Sequence, residues 1–81
     1  MRVMYFAWLR ERIGASFEDL TTEAADVTAL VEELRAREPR YAAAFADMSA
    51  IRVALDQEEA AFDAPLAGVR EVAFFPPVTG G

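Results

Sequence analysis

One segment of this 81-residue chain carries a sustained helical period, and it sets the frame for everything else. Val27, Leu30, Val31 and Leu34 fall at i, i+3, i+4 and i+7, a single apolar stripe that predicts a helix over Val27–Arg37. Asp26 stands where a side chain can cap the first turn. Arg35 and Arg37 stand in the last turn, where cations suit the helix dipole. Glu33 and Arg37 are four apart, in the favourable order for an ion pair. Pro39 drives Glu38 out of helical conformation and ends the helix.

Around that helix the chain reads as short strands and turns. Arg2–Ala7 is rich in β-formers and predicts a first strand. Trp8–Ile13 has helical spacing and stops at Gly14. Ser16–Thr22 reads as a second strand, with Phe17 and Leu20 as its apolar residues. Tyr41–Met48 predicts a second short helix after the proline. Ile51–Leu55 alternates as a strand, Asp56-Gln57-Glu58 suits a turn, and Ala60–Phe62 a short returning strand. A loop at Asp63–Gly68 leads to a last strand, Arg70–Phe75, and Pro76-Pro77 ends its ladder. Strands at both ends flank one main helix, which predicts an α+β domain with the helix on one face of the sheet.

The absent side chains narrow the chemistry. There is no cysteine, hence no disulfide and no thiolate for metal or catalysis. There is no histidine, so the common zinc sites and the common neutral-pH base are missing. All eight basic residues are arginine, so no lysine can form a Schiff base or accept an isopeptide bond. A net charge of −6 argues against nucleic acid and anionic membranes, and for a partner with a basic face. Val3–Leu9 superficially resembles a signal peptide, but it is short, and Arg10-Glu-Arg12 follows where a cleavage site would stand. No apolar run approaches the roughly 20 residues of a membrane span, and a cytoplasmic location is expected. The pairs Glu32-Glu33 and Glu58-Glu59 read as solvated. Arg52 points to the wet face of its strand, and Trp8 reads as a lid on the short helix.

Strand parity singles out a surface. In the first strand Val3, Tyr5 and Ala7 share one face, Met4 and Phe6 the other. Both faces are apolar, yet one helix covers only one. In the last strand Val72 and Phe74 share a face and read as core. Glu71, Ala73 and Phe75 share the opposite face, which the glutamate marks as wet. If the two strands are neighbours, Met4, Phe6 and Phe75 form an exposed apolar patch, the mark of a partner site. The alternative is that they pack beneath Tyr41–Met48.

The chain closes on Val78, Thr79, Gly80 and Gly81. Two glycines can thread a channel too narrow for a Cβ and leave the terminal carboxylate sterically bare. Such a carboxylate is the least hindered to activate, for example as an acyl-adenylate. Ordinary terminal fraying is the competing reading.

Phe74-Phe-Pro-Pro-Val-Thr-Gly-Gly81 resembles the C-terminal signature of the small subunit of molybdopterin synthase, the MoaD-type sulfur carrier. Val3-Met-Tyr-Phe-Ala with Arg10-Glu11 and Gly14, Phe62-Asp63, Pro65-Leu66 and Glu71-Val72-Ala73 extend the likeness over essentially the whole chain. The family favours asparagine near the turn where Asp56 stands. The resemblance implies a ubiquitin-like β-grasp domain over residues 1–77, with a mixed sheet, and a flexible Gly-Gly tail at 78–81. It implies that a MoeB-type adenylating enzyme uses ATP to convert the Gly81 carboxylate into an acyl-adenylate, which a sulfur donor turns into a thiocarboxylate. The tail would then enter the large, MoaE-type synthase subunit, where the sulfur passes to cyclic pyranopterin monophosphate. Val78, Thr79 and Gly80 would thread the partner's channel, and Phe75, Phe6 and Met4 would dock the body. The chain would bind no cofactor and be non-catalytic alone, with the catalytic side chains on the large subunit of a heterotetramer. Three alternatives stay open: a sulfur carrier for thiamine or cysteine synthesis, a ubiquitin-like modifier joined to target lysines, and an interaction domain with an inert tail.

Overall fold

The computed structural model describes residues 1–77. The element order is β1 (Arg2–Tyr5), α1 (Trp8–Ile13), β2 (Phe17–Asp19), α2 (Val27–Arg37), α3 (Pro39–Ala44), a 3₁₀ turn at Met48–Ala50, β3 (Arg52–Leu55), β4 (Glu58–Ala60) and β5 (Glu71–Phe75). The five strands form one mixed sheet in the order β2-β1-β5-β3-β4. Only β1 and β5 pair in parallel, with Tyr5 opposite Phe74; the other three pairings are antiparallel. This is the α+β, ubiquitin-like β-grasp arrangement that the sequence implied.

The main helix forms where its stripe placed it. Asp26 caps α2 by accepting from the Ala29 N–H at 2.8 Å, and Val27, Leu30, Val31 and Leu34 are all buried. That stripe closes against Val3, Tyr5, Val53, Val72 and Phe74 from one face of the sheet. Burying each such side chain contributes about 1.5–3 kcal/mol relative to leaving it exposed to water. Phe74 lies at the centre: Tyr5 stacks on it at 6.4 Å and Phe45 meets it edge-on at 5.0 Å.

Several boundaries differ from the sequence expectation, each for a local reason. β1 ends at Tyr5 because Ala7 adopts φ 54° at the entry to α1. α3 begins at Pro39, since a proline at the first helical position sacrifices no hydrogen bond, and it ends at Ala44. The hairpin turn is two residues, Asp56 and Gln57, both at positive φ, so Glu58 already belongs to β4 and the returning strand precedes Ala60–Phe62. Asp56 has its own support there: its carboxylate accepts the backbone N–H groups of Arg70 and Glu71 at 3.1 and 3.0 Å. Glu33 pairs with Thr22 at 2.6 Å instead of with Arg37, which turns toward Glu18 and the Tyr41 ring.

β2 departs most. It keeps three residues, and its inward side chain is Glu18, not Phe17. Glu18 is accommodated because the hydroxyls of Tyr5 and Tyr41 donate to it at 2.8 and 2.7 Å. Arg40 donates in turn to the Tyr41 oxygen and to the Ile13 carbonyl. Burial, followed by the Glu18 carboxylate, pushes the pKa of both tyrosines above the usual phenol value.

Two outcomes follow from this core. Phe74→Ala should destabilise the domain by about 3–5 kcal/mol in urea denaturation, the cost of an emptied aromatic site. Tyr5→Phe should cost about 1.5–3 kcal/mol at neutral pH, the range for a hydrogen bond to a charged group. The folded chain holds Tyr5 and Tyr41 neutral beyond the pH at which the unfolded chain ionises them. Stability should therefore be full below about pH 10 and fall as pH rises further, less steeply in Tyr5→Phe, as checked by urea melts across alkaline pH.

Candidate functional site

The helices all pack on one face of the sheet, and the parity of the strands decides what the other face presents. Along β5, Val72 and Phe74 are buried beneath α2 and α3, whereas Glu71, Ala73 and Phe75 point away. The α3 segment reaches Phe74 through Phe45 and Tyr5 through Tyr41, so it lies on the core side and leaves Met4 and Phe75 uncovered by it. Because β1 and β5 are neighbours, the predicted patch assembles: Met4 stands opposite Ala73, and the Phe6 N–H donates to the Phe74 carbonyl at 3.0 Å, directly beside Phe75.

The result is a shallow depression of ≈ 460 Å³ lined by Phe6, Ala54, Ala73, Phe75 and Pro76. Phe6 is 42 % exposed, and Met4 and Phe75 are half-buried. Ala54 and Ala73 oppose each other on β3 and β5 and form its floor, their missing bulk being what makes the surface concave. Small residues give little signal in a sequence, and neither alanine was legible as part of the site.

Phe17 was assigned by the sequence to the second strand but to neither of its faces. It lies on the open face, 46 % exposed, opposite Met4. The spacing of Phe17 and Leu20 held the clue, since residues three apart on a strand face opposite ways and only Leu20 packs against the core. Trp8 also rests against the core, with the Arg12 guanidinium over its ring.

Ion pairs border the patch. Arg2 donates to the Asp19 carboxylate from Nε at 3.1 Å and Nη2 at 3.3 Å. That hydrogen bonding raises the Arg2 pKa and holds the Asp19 carboxyl below the usual carboxylate value. Arg52, read as solvated, pairs across the hairpin with Glu59 at 2.6 Å. Among the described residues no group of three or more aspartates or glutamates is placed to hold a metal ion. No helix among them is long and apolar enough to cross a membrane. A face of apolar side chains, bordered by the Arg2–Asp19 and Arg52–Glu59 pairs and by Glu71, can bind another surface.

Val78, Thr79, Gly80 and Gly81 lie outside the described residues. Of the two prolines before them, Pro76 lines the depression, and Pro77 lines a separate hollow beside Ile51, Arg52 and Phe62.

Comparison with known proteins agrees with this geometry. The ThiS family model matches residues 3–81. The chain is 38% identical over 81 residues to a molybdopterin synthase sulfur carrier subunit of Escherichia coli, covering 100% of this chain and 99% of that protein. It is 33% identical, with the same coverage, to the molybdopterin synthase sulfur carrier subunit of Haemophilus influenzae. The small archaeal modifier protein 1 of Haloferax volcanii superposes with a TM-score of 0.77 at 27% identity, covering 96% of this chain and 97% of that one. Sequence and fold thus point the same way, and the chain belongs to the ThiS family and to the family of the molybdopterin synthase sulfur carrier subunits.

Proposed function

We propose that this chain is the sulfur-carrying small subunit of a cytoplasmic molybdopterin synthase. The observation that carries the reading is an apolar, concave face placed at the root of a Gly-Gly tail. Full-length similarity to the bacterial sulfur carrier subunits supports it. Beyond Pro77 four residues remain, and four extended residues span at most about 14 Å. A protein that takes Gly81 into its own interior must therefore sit against the body of this chain, and Pro76, one residue before that root, lines the depression of Phe6 and Phe75.

The chemistry follows from what the side chains lack. The chain has no histidine, cysteine or lysine, so it contributes the carried group and its partners contribute the acid–base and nucleophilic residues. On an adenylating enzyme of the MoeB type, a Gly81 carboxylate oxygen attacks the α-phosphorus of ATP and pyrophosphate leaves. A sulfide-level sulfur, supplied as hydrosulfide, then attacks the acyl carbon, a C–S bond forms, the C–O bond to AMP breaks, AMP departs with the electron pair, and the S–H proton is lost to solvent. The resulting thiocarboxylate enters the large, MoaE-type subunit and gives its sulfur to cyclic pyranopterin monophosphate, with the carboxylate restored by water. Val78, Thr79 and Gly80 line the partner's channel without presenting a large side chain.

A second reading is favoured by one observation, the close fold of the small archaeal modifier protein 1. The same activation could serve conjugation to target lysines, which would appear as isopeptide-linked species in cells.

Three results are expected. Intact mass after incubation with the adenylating enzyme, ATP and a sulfur source should show one oxygen replaced by sulfur at Gly81; no change with a demonstrably active enzyme would reject the carrier chemistry. Gly81→Phe should abolish molybdopterin formation in the reconstituted synthase while leaving thermal unfolding unchanged. Phe75→Ala should weaken docking to the large subunit by about 1–3 kcal/mol, measured by calorimetry, with little loss of folding stability. A large loss of stability at unchanged affinity would instead place Phe75 in the core.

A further inference from the structure

Among the described residues two large apolar side chains are exposed, Phe6 and Phe17. Phe6 belongs to the depression at the tail. Phe17 stands on the outer strand β2, outside that depression, and has no part in the carrier reading so far.

Its surroundings are organised. The Arg2 guanidinium lies over the Phe17 ring at 4.3 Å, and Asp19 holds that guanidinium with two hydrogen bonds. Phe17 is thus pinned on one side and open on the other, and a side chain fixed before binding loses less freedom on docking. The register connects it to the depression: Phe17 stands opposite Met4, Met4 opposite Ala73, and Ala73 opposite Ala54. The row is apolar across four strands. At its far end on β4 the residue opposite Ala54 is Glu59, closed by Arg52. The open face is therefore lopsided, apolar toward β2 and polar toward β4.

A second row runs beside the first. Asp19 stands opposite Arg2, and Arg2 opposite Glu71. One arginine lies between two carboxylates and is held by Asp19, so the row keeps one surplus negative charge. Among the described residues Glu71 makes no ion pair within 4 Å, and it borders the depression.

We propose that the docking face for the large synthase subunit extends across β1 to β2, with Phe17 as a second aromatic anchor and Glu71 as the recognition point for a cationic side chain of that subunit. This rests on the carrier reading above and deepens it. The partner surface it demands is an apolar socket for Phe17 beyond the Phe6–Phe75 contact, with an arginine or lysine facing Glu71. Continuity of the apolar row with the tail-side depression and the uncompensated charge beside it carry the argument.

The test is calorimetric binding of the full-length carrier to the large subunit at low and high salt, with thermal unfolding of every variant alongside. Phe17→Ala should weaken binding about tenfold or more while the melting temperature stays near wild type, as for an anchor at an interface. Phe17→Thr, which suits an edge strand, should reproduce that loss if alanine loosens β2. Glu71→Gln should weaken binding and flatten its salt dependence, since a charge pair across the interface is screened by salt. Wild-type affinity for both Phe17 variants, with Phe75→Ala impaired, would overturn the extension and leave the carrier reading intact; Phe17 would then be a shielded aromatic that merely blunts the sheet edge. Wild-type affinity for Phe75→Ala as well would overturn the docking face altogether.

Discussion

The parallel pairing of β1 with β5 is the constraint on which the molecule depends. It joins the second residue of the chain to the last strand before the tail, with Arg2 opposite Glu71 and Tyr5 opposite Phe74. Everything between must fold back to permit it, and a contact of such sequence separation is entropically expensive to close. Once made, it places Phe74 among Tyr5 and Phe45 at the centre of the core. The same pleat puts Phe75 beside Phe6 on the far side. Core and open apolar surface are two faces of one pair of strands, so neither can be shifted by a residue without inverting the other.

The Glu18 cluster answers a difficulty that this pairing creates. β2 is short, lies at the sheet edge, and turns a glutamate toward the core. A carboxylate there is tolerable only if its hydrogen bonds are met. Two tyrosine hydroxyls meet them, with Arg37 at 4.0 Å, and no buried side-chain polar atom among the described residues lacks a partner. Turning Glu18 inward is also what turns Phe17 outward, so the stabilising cluster on one face and the added aromatic on the other are a single decision of strand register.

Much of this was legible in the residues. The stripe of Val27 to Leu34 specified α2 and its buried face, because a 3.6-residue period kept over two turns has one solution. The alternation of Glu71 to Phe75 specified which aromatic is core and which is surface. What escaped were short elements. Two-residue turns at positive φ, such as Asp56-Gln57, follow from long-range support by Arg70 and Glu71, and no local pattern announces that. Glu18 and Phe17 inverted the usual apolar-in, polar-out rule, since their placement is set by Tyr5 and Tyr41, distant in sequence.

The sequence by itself determined which side-chain chemistry the protein has at hand. It holds no cysteine, histidine or lysine, so thiolate, imidazole and Schiff-base chemistry are outside its side chains. It also determined the main helix and the sidedness of the first and last strands, because local periodicity fixes which face a residue occupies within its own element. Only the tertiary structure decided which strands are neighbours, and hence that Met4, Phe6, Ala54, Ala73 and Phe75 become one surface bordered by Phe17 and Glu71. Adjacency in a sheet is a property of backbone pairing between distant segments, and no period within a strand encodes its partner.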